Sequence, residues 1–339
     1  MKTWKPFKRD DAAISSLLEM VYGYQRSRVL FTACQLDIFS TIATDYKSAS
    51  EIAITINADK KATQRLLDSL VALELLEKME NKYTNSKISL RFLVRNKPEY
   101  MSIMNYSSRL WDAWGKLTEA VRSGQNPDVK GIQDYSHEET EDFIDAVHWR
   151  SSILAPDIVK MIDLTGVERV LDIGGGVGDY AIEFVNAKPS IKATIFTYPN
   201  CAPFAEEYLR YIKNREVAGN IEVKTGDILG DDFGSGYDLV FLSFVFQHND
   251  IWKNIELARN VRESLNYDGK IVIQDLLIDD KRTSPEFNTL YALELLVNSL
   301  GGDVYTSSDI WLILKEAAYS NIKTMETDFG TSLVFGVKD

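Results

Sequence analysis

Cysteine is scarce in this chain. Cys34 and Cys201 are the only two among 339 residues. They do not form a disulfide framework, and the chain fits a reducing compartment. Histidine is nearly as rare. His137, His148 and His248 are scattered, no zinc-ligand spacing exists, and no metal is expected. No run approaches the ~18 consecutive apolar residues of a membrane span. The opening MKTWKPFKRDD has no apolar core of the signal-peptide kind. These absences together predict a cytoplasmic protein with no membrane partner. Positive charge is also in deficit: 38 Lys and Arg stand against 50 Asp and Glu, a formal net charge of −12. A nucleic acid, itself a polyanion, would be repelled. A small molecule, or a peptide that is not strongly acidic, fits better as a partner.

The composition is otherwise that of a soluble globular protein, with 45% hydrophobic and 26% charged residues, and the length suggests about two domains. The amino-terminal part reads as successive helices. Apolar residues recur at helical spacing from Ile14 to Ile42, including Leu17, Leu18, Val21, Val29, Leu30 and Phe31. A second helix, SASEIAITI, has Ser48 or Ser50 as its cap and Glu51 in its first turn. A third begins near Asp59. KMENKYTNSKISL then reads as a short hairpin turning at Glu80-Asn81. Three helices followed by a β-wing is the order of a winged helix, a module that often enters a DNA major groove. In so acidic a chain the favoured use is dimerisation, with a share in walling a pocket. Residues 1–99 are assigned to this all-helical, winged-helix domain. Residues 100–165, again helical, form a linker and pocket region.

Beyond Gly166 the pattern changes. ERVLDIGGG, KATIFTYP, NIEVKTGD, YDLVFLSFV and GKIVIQDLLID are short Val- and Ile-rich runs separated mostly by helical segments. That alternation predicts an α/β domain over 166–339, with a parallel sheet covered on both faces. METDFGTSLVFGVKD, turning at Asp328–Gly330, reads as a closing hairpin. The first strand runs through Asp172 into Gly174, Gly175, Gly176, Val177 and Gly178. A loop there sits at the ligand-binding edge of such a sheet. The dinucleotide spacing G-x-G-x-x-G fails, because position 179 is Asp, and a Walker loop is absent. What remains is acid-x-G-x-G-x-G, the S-adenosylmethionine (SAM) signature of class I methyltransferases with a Rossmann-like sheet. The cofactor's sulfonium is cationic, which suits Asp172 beside the loop. Gly226 and Asp227, after the strand IEVKT, are placed to meet the adenine amino group, although a polar loop end is the plain alternative. Thr197, at the end of the second strand, offers the ribose hydroxyls a weaker partner than the usual carboxylate.

With these residues in view, the chain resembles the O-methyltransferases typified by plant caffeic-acid methyltransferases and bacterial natural-product methyltransferases. GYQRSRVLFTACQLDIFSTI, TQRLLDSLVALELLEK, WDAWGKLTEAVRSG and DAVHWRSS carry the likeness in the first half. VLDIGGGVGDYA, KTGDIL, GKIVIQDLLIDDKRTSP and GGDVYTSSDI carry it in the second. The resemblance implies an intertwined homodimer, SAM on the glycine loop, and an acceptor pocket between the two domains. Ser243 and Phe244, where the fourth strand ends, join the candidate cofactor set. Departures also stand out. Counted without gaps, Gln247 occupies the place of the family's catalytic His, and His248 follows one residue later. Val304 and Tyr305 stand where plant enzymes have Glu and Arg.

Methyl transfer requires acceptor, methyl and sulfur to be collinear. A base is needed only for a protonated acceptor such as a phenol, with a pKa of ~10. His248 is one candidate, provided a one-residue bulge turns it into the pocket; otherwise it is a solvated loop residue. His148, on the helix that the family lays over the methyl, is another, or else a polar residue in a helix contact. If neither acts, Gln247 would orient an acceptor that needs no base, such as a carboxylate or a sulfur atom. A SAM-binding chain that transfers no methyl is a third reading. Trp111, Trp114 and Trp149 are candidate pocket aromatics, with core packing expected for at least one of the first two. Tyr22 and Tyr24 are weaker candidates. Asp275 either faces the acceptor or is satisfied by backbone N–H groups. Arg282 is expected to pair with Asp279 or Asp280.

Overall fold

The computed structural model describes residues 12–339. Two compact units meet at Ser108 and Arg109 in the sequence. In the first, α1 (Ala12–Gln35) and α2 (Ile38–Ile42) are separated at Asp37, whose φ of 50° is left-handed. The apolar period from Ile14 to Ile42 runs across this break and does not reveal it. A short polar side chain is one of the few that tolerates that conformation. Next come β1 (Lys47–Ser48), α3 (Ala49–Thr55) and α4 (Lys60–Ala72). Ser48 caps α3 reciprocally with Glu51, and Asp59 caps α4 through the Ala62 N–H at 2.8 Å. The hairpin forms from β2 (Leu76–Met79) and β3 (Lys82–Asn85), with β1 added beside β3. Ile38, Phe39, Ile52, Leu67, Leu70 and Tyr83 fill the core beneath it. The helix α5 (Lys87–Phe92) follows, and α6 (Ile103–Gly115) runs across the boundary.

The second unit opens with α7 (Leu117–Ser123) and the long α8 (His137–Lys160), whose first turn is closed by a Ser136–Glu139 capping box. The sheet then builds in the order expected of alternating strands and helices. Its members are β4 (Arg169–Ile173), α9 (Asp179–Ala187), β5 (Lys192–Thr197), α10 (Ala202–Tyr211), α11 (Arg215–Ala218), β6 (Ile221–Thr225) and β7 (Tyr237–Ser243). They continue with α12 (Ile251–Ser264), β8 (Leu265–Asp275), α13 (Glu286–Asn298), α14 (Ser307–Glu316), β9 (Ser320–Glu326) and β10 (Ser332–Val337). The strands lie in the order β6-β5-β4-β7-β8-β10-β9. The first five are parallel, and β10 runs antiparallel to both β8 and β9.

Both faces of this sheet are covered, as the near-continuous apolar strands require. Leu171, Ile173, Val240, Leu242, Ile271 and Ile273 pack on one side. Their sequence neighbours Val170, Leu239, Phe241 and Val272 pack on the other. Strand order reverses at β4, with β5 on one side and β7 on the other. That is the point at which an open α/β sheet forms a crevice at its carboxyl edge. Among the described residues no helix is long and apolar enough to cross a membrane.

Candidate active site

At the carboxyl end of β4 the chain turns through the glycine loop into α9. Gly176 and Gly178 have φ values of +58° and +94°, and both are hemmed in. A Cβ at Gly176 would lie 2.9 Å from Val147 Cγ1 on α8, and one at Gly178 would collide with Ile195 on β5. Only glycine permits this backbone at this distance. Gly174, also left-handed, continues the sheet through its N–H to the Phe196 carbonyl at 2.8 Å. Asp172 lies against the loop and is fully buried, and among the described residues no side chain donates to either carboxyl oxygen. Burial pushes its pKa up to about 7, against the backbone N–H of Ala181, with Asp179 adding to the rise. A buried acid without a side-chain donor is costly unless a cation relieves it. A glycine cradle with an unsatisfied acid suits the sulfonium and ammonium charges of SAM.

The rest of the sheet edge is arranged around this loop. Thr197 is buried at the end of β5, and its carbonyl accepts the Gly226 N–H at 3.1 Å. Asp227 is exposed just beyond β6, and its carboxylate accepts the Leu229 N–H at 2.9 Å. Ser243 closes β7 by donating to Gln274 Oε1 at 3.1 Å. Phe244 follows with φ at 57° and is buried.

His148 belongs to the loop side. Its Nδ1 lies 3.0 Å from Asp179 Oδ1, and its ring meets Tyr208 edge-on at 4.8 Å. Burial works to lower the pKa of His148. The hydrogen bond and charge of Asp179, with the charge of Asp145, outweigh it and leave the value raised. The ring therefore ties α8 to the first residue of α9.

Gln247 and His248 share one turn. A single 3₁₀ turn, Phe246–His248, brings both side chains to one place, with Gln247 Nε2 3.4 Å from His248 Nε2. Gln247 is buried and donates to the Tyr291 hydroxyl at 2.9 Å, while its Oε1 has no partner among the described residues. Burial and the nearby Arg150 cation push the pKa of His248 down to about 4. Asp275, at the end of β8, accepts backbone N–H groups on both oxygens, from Gln247 at 3.2 Å and Leu276 at 3.0 Å. The satisfied-acid reading of Asp275 is the one the structure supports. Burial still pushes its pKa up to about 7, and that of Glu294 on α13 likewise.

The Arg282 expectation is corrected. Its guanidinium pairs with Asp303, and more loosely with Asp309 at 3.7 Å. Asp279 is taken by the Thr283 and Ser284 N–H groups. Arg150, Asp179, Tyr291 and Glu294 were not identified from the sequence. Helical spacing was the available signal: Arg150 lies three residues after Val147, and Tyr291 and Glu294 are three apart on α13. Among the described residues no cluster of acids, histidines and cysteines could hold a metal.

This sheet order, with a glycine loop and an unpaired acid at its switch point, defines a class I SAM-dependent methyltransferase. The chain belongs to the O-methyltransferase domain family, matched over residues 114–320, and residues 18–95 match the O-methyltransferase dimerisation domain. It is 26% identical over 335 residues to the 3-hydroxy-5-methyl-1-naphthoate 3-O-methyltransferase of Streptomyces sahachiroi, covering 95% of this chain and 94% of that one. It is 27% identical to the tetracenomycin polyketide synthesis 8-O-methyl transferase of Streptomyces glaucescens, covering 95% and 96%. Human N-acetylserotonin methyltransferase, solved in complex with SAM, superposes with a TM-score of 0.86 at 25% identity, covering 98% of this chain and 99% of that one. The protein is a SAM-dependent methyltransferase.

Proposed function

We propose that the protein methylates a hydroxyl oxygen of a small natural product or its precursor, acting as a cytoplasmic homodimer whose first unit is a winged-helix dimerisation domain. The observation that carries this reading is the Gln247–His248–Tyr291 cluster just beyond Ser243, following the glycine loop of a Methyl-transferring sheet. The two Streptomyces relatives, by their names, act on a hydroxynaphthoate and a polyketide. Asp172, Gly174, Gly176, Gly178, Thr197, Gly226, Asp227, Ser243 and Phe244 hold the cofactor. SAM supplies a methyl group made electrophilic by its sulfonium. The protein's own work is to align the acceptor oxygen and to manage its proton.

His248, with its pKa near 4, is neutral at pH 7 and accepts a hydrogen bond. It is a weak base, so a phenol of pKa ~10 gives up its proton to it only with difficulty. Gln247 Oε1, without a partner among the described residues, accepts a hydrogen bond from an acceptor hydroxyl while that oxygen still carries its proton. His148 is committed to Asp179 and positions the loop. An unreactive hydroxyl is therefore a poor substrate, and an acidic one a good substrate. A carboxylate acceptor, which has no proton to lose at neutral pH, is the second reading, favoured by the amide standing where the family has its base.

The test is transfer of labelled methyl from SAM to a panel of hydroxylated aromatics, with the product position read by NMR. Label should appear as a methoxy group. His248→Gln should slow transfer at saturating SAM by less than ~100-fold, the low end of general-base contributions. Label only on sulfur, on nitrogen or in no acceptor would overturn the reading, and a larger loss in His248→Gln would make that residue the required base.

A further inference from the structure

Among the described residues Arg150 forms no ion pair and no hydrogen bond through Nε. It lies on α8 three residues after Val147, which packs on Gly176. At 1.5 Å per residue it stands on the same helix face, ~4.5 Å further along. Its guanidinium carbon lies 3.6 Å from the centroid of the Phe244 ring, a cation–π contact that holds the head group against the ring face. Nε is buried without a hydrogen-bond partner. The groups that feel its charge are Tyr180, His248, Asp275, Tyr291 and Glu294. None of them pairs with it, and Asp275 already accepts two backbone N–H groups. A cation held against an aromatic face, with a buried donor unmet, is costly unless an anion completes it.

We propose that Arg150 binds an oxyanion of the methyl acceptor, so that the substrate is a hydroxyaromatic acid or a phenol bound as its phenolate. This rests on the O-methyltransferase reading above. It also accounts for the change at Gln247. A cation that stabilises the ionised acceptor removes the need for a strong base, because the proton leaves to solvent before the oxygen attacks. The oxygen–methyl bond then forms as the sulfur–methyl bond breaks, and the neutral thioether departs. The cofactor's own carboxylate has the same chemistry as a carboxylate acceptor. Phe244, beneath Arg150, belongs to the cofactor set, whereas His248, Tyr291 and Glu294, which feel its charge, lie beyond that set, and the S-adenosylhomocysteine arm of the experiment separates the two sources.

The experiment uses the full-length protein loaded with S-adenosylhomocysteine. The first pair of probes is 3-hydroxy-2-naphthoate and its neutral amide, with affinities measured by calorimetry. The second probe is 4-nitrophenol, whose absorbance reports its ionisation when bound. In the wild type we expect either a preference of about tenfold or more for the naphthoate over the amide, or a bound nitrophenol whose apparent pKa is lowered by about one unit. Either is the size of a hydrogen bond to a charged group. The first outcome identifies a carboxylate as the anion and the second a phenolate. Arg150→Gln should abolish the effect, and Arg150→Lys should retain part of it. The proposal fails if the wild type shows neither effect, or if Arg150→Gln leaves both unchanged. It also fails if that variant loses affinity for S-adenosylhomocysteine alone, which would put the guanidinium on the cofactor carboxylate. If the wild type does not bind S-adenosylhomocysteine, the methyltransferase reading itself falls, independently of Arg150.

Discussion

Asp172 is a fully buried carboxyl group with no side-chain donor among the described residues, and its behaviour should dominate how the protein holds its cofactor. Burial raises its pKa to about 7, so in the free protein it is largely protonated below that pH. A cationic ligand favours the ionised form. Affinity for SAM should therefore fall as pH drops below about 7, by at most about tenfold per pH unit for one coupled proton. Calorimetry in buffers of different ionisation enthalpy should detect a proton released on binding near pH 6. Asp172→Asn should bind weakly and without this pH dependence. A wild-type affinity that stays constant from pH 6 to 8 would contradict the assignment. His148 behaves in the opposite sense. Its folded pKa is raised, so its ion pair with Asp179 contributes fully below ~6.5 and is lost as pH climbs through the folded value. His148→Gln leaves Asp179 buried and unpaired. It should cost about 1–3 kcal/mol at the loop, seen in steady-state kinetics as a KM for SAM raised tenfold or more while the acceptor KM stays the same.

Among the elements, the contact between the glycine loop and α8 is the one most sensitive to a single methyl group. Gly176→Ala places a Cβ 2.9 Å from Val147 Cγ1 on a backbone with φ of +58°. The left-handed conformation alone costs about 1–2 kcal/mol, and the clash adds to it. Affinity for S-adenosylhomocysteine should drop by about tenfold or more. Removing the opposing methyls with Val147→Ala in the same chain should restore part of it, leaving the backbone cost behind. No recovery in the double variant would mean that the loop is not positioned through α8. At this scale much was legible in advance. Caps such as Ser48 and Asp59 are written as a polar residue ahead of an apolar period. The strands of the sheet are written as Val- and Ile-rich runs. The left-handed break at Asp37 was not legible, because the apolar residues on either side keep the helical period through it.

For the whole molecule, what could be read depended on how far apart the parts lie in the chain. Asp172 to Gly178 are contiguous, so their spacing alone excluded dinucleotide and phosphate loops. Arg150, Gln247 and Tyr291 come from α8, the turn after β7, and α13, about 140 residues end to end. Only the folded sheet edge makes neighbours of them, and no local pattern encodes that. The face that another copy of the chain would cover lies nearer the surface of the sequence. Leu17, Met20, Val21 and Tyr24 fall on one stripe of α1, at spacing i, i+3, i+4 and i+7, and each is more than half exposed. Large apolar side chains in a contiguous exposed stripe mark an interaction surface, and residues 18–95 match the family's dimerisation domain. A symmetric partner copy would remove this stripe from water, at ~25 cal/mol for each Å² of apolar area. The double substitution Met20→Glu with Val21→Glu places two charges in that interface, and neither residue lies in the monomer core. Sedimentation should show the wild type as a dimer and the variant as a monomer with unchanged helical circular dichroism. A variant that remains dimeric would move the interface away from this stripe of α1.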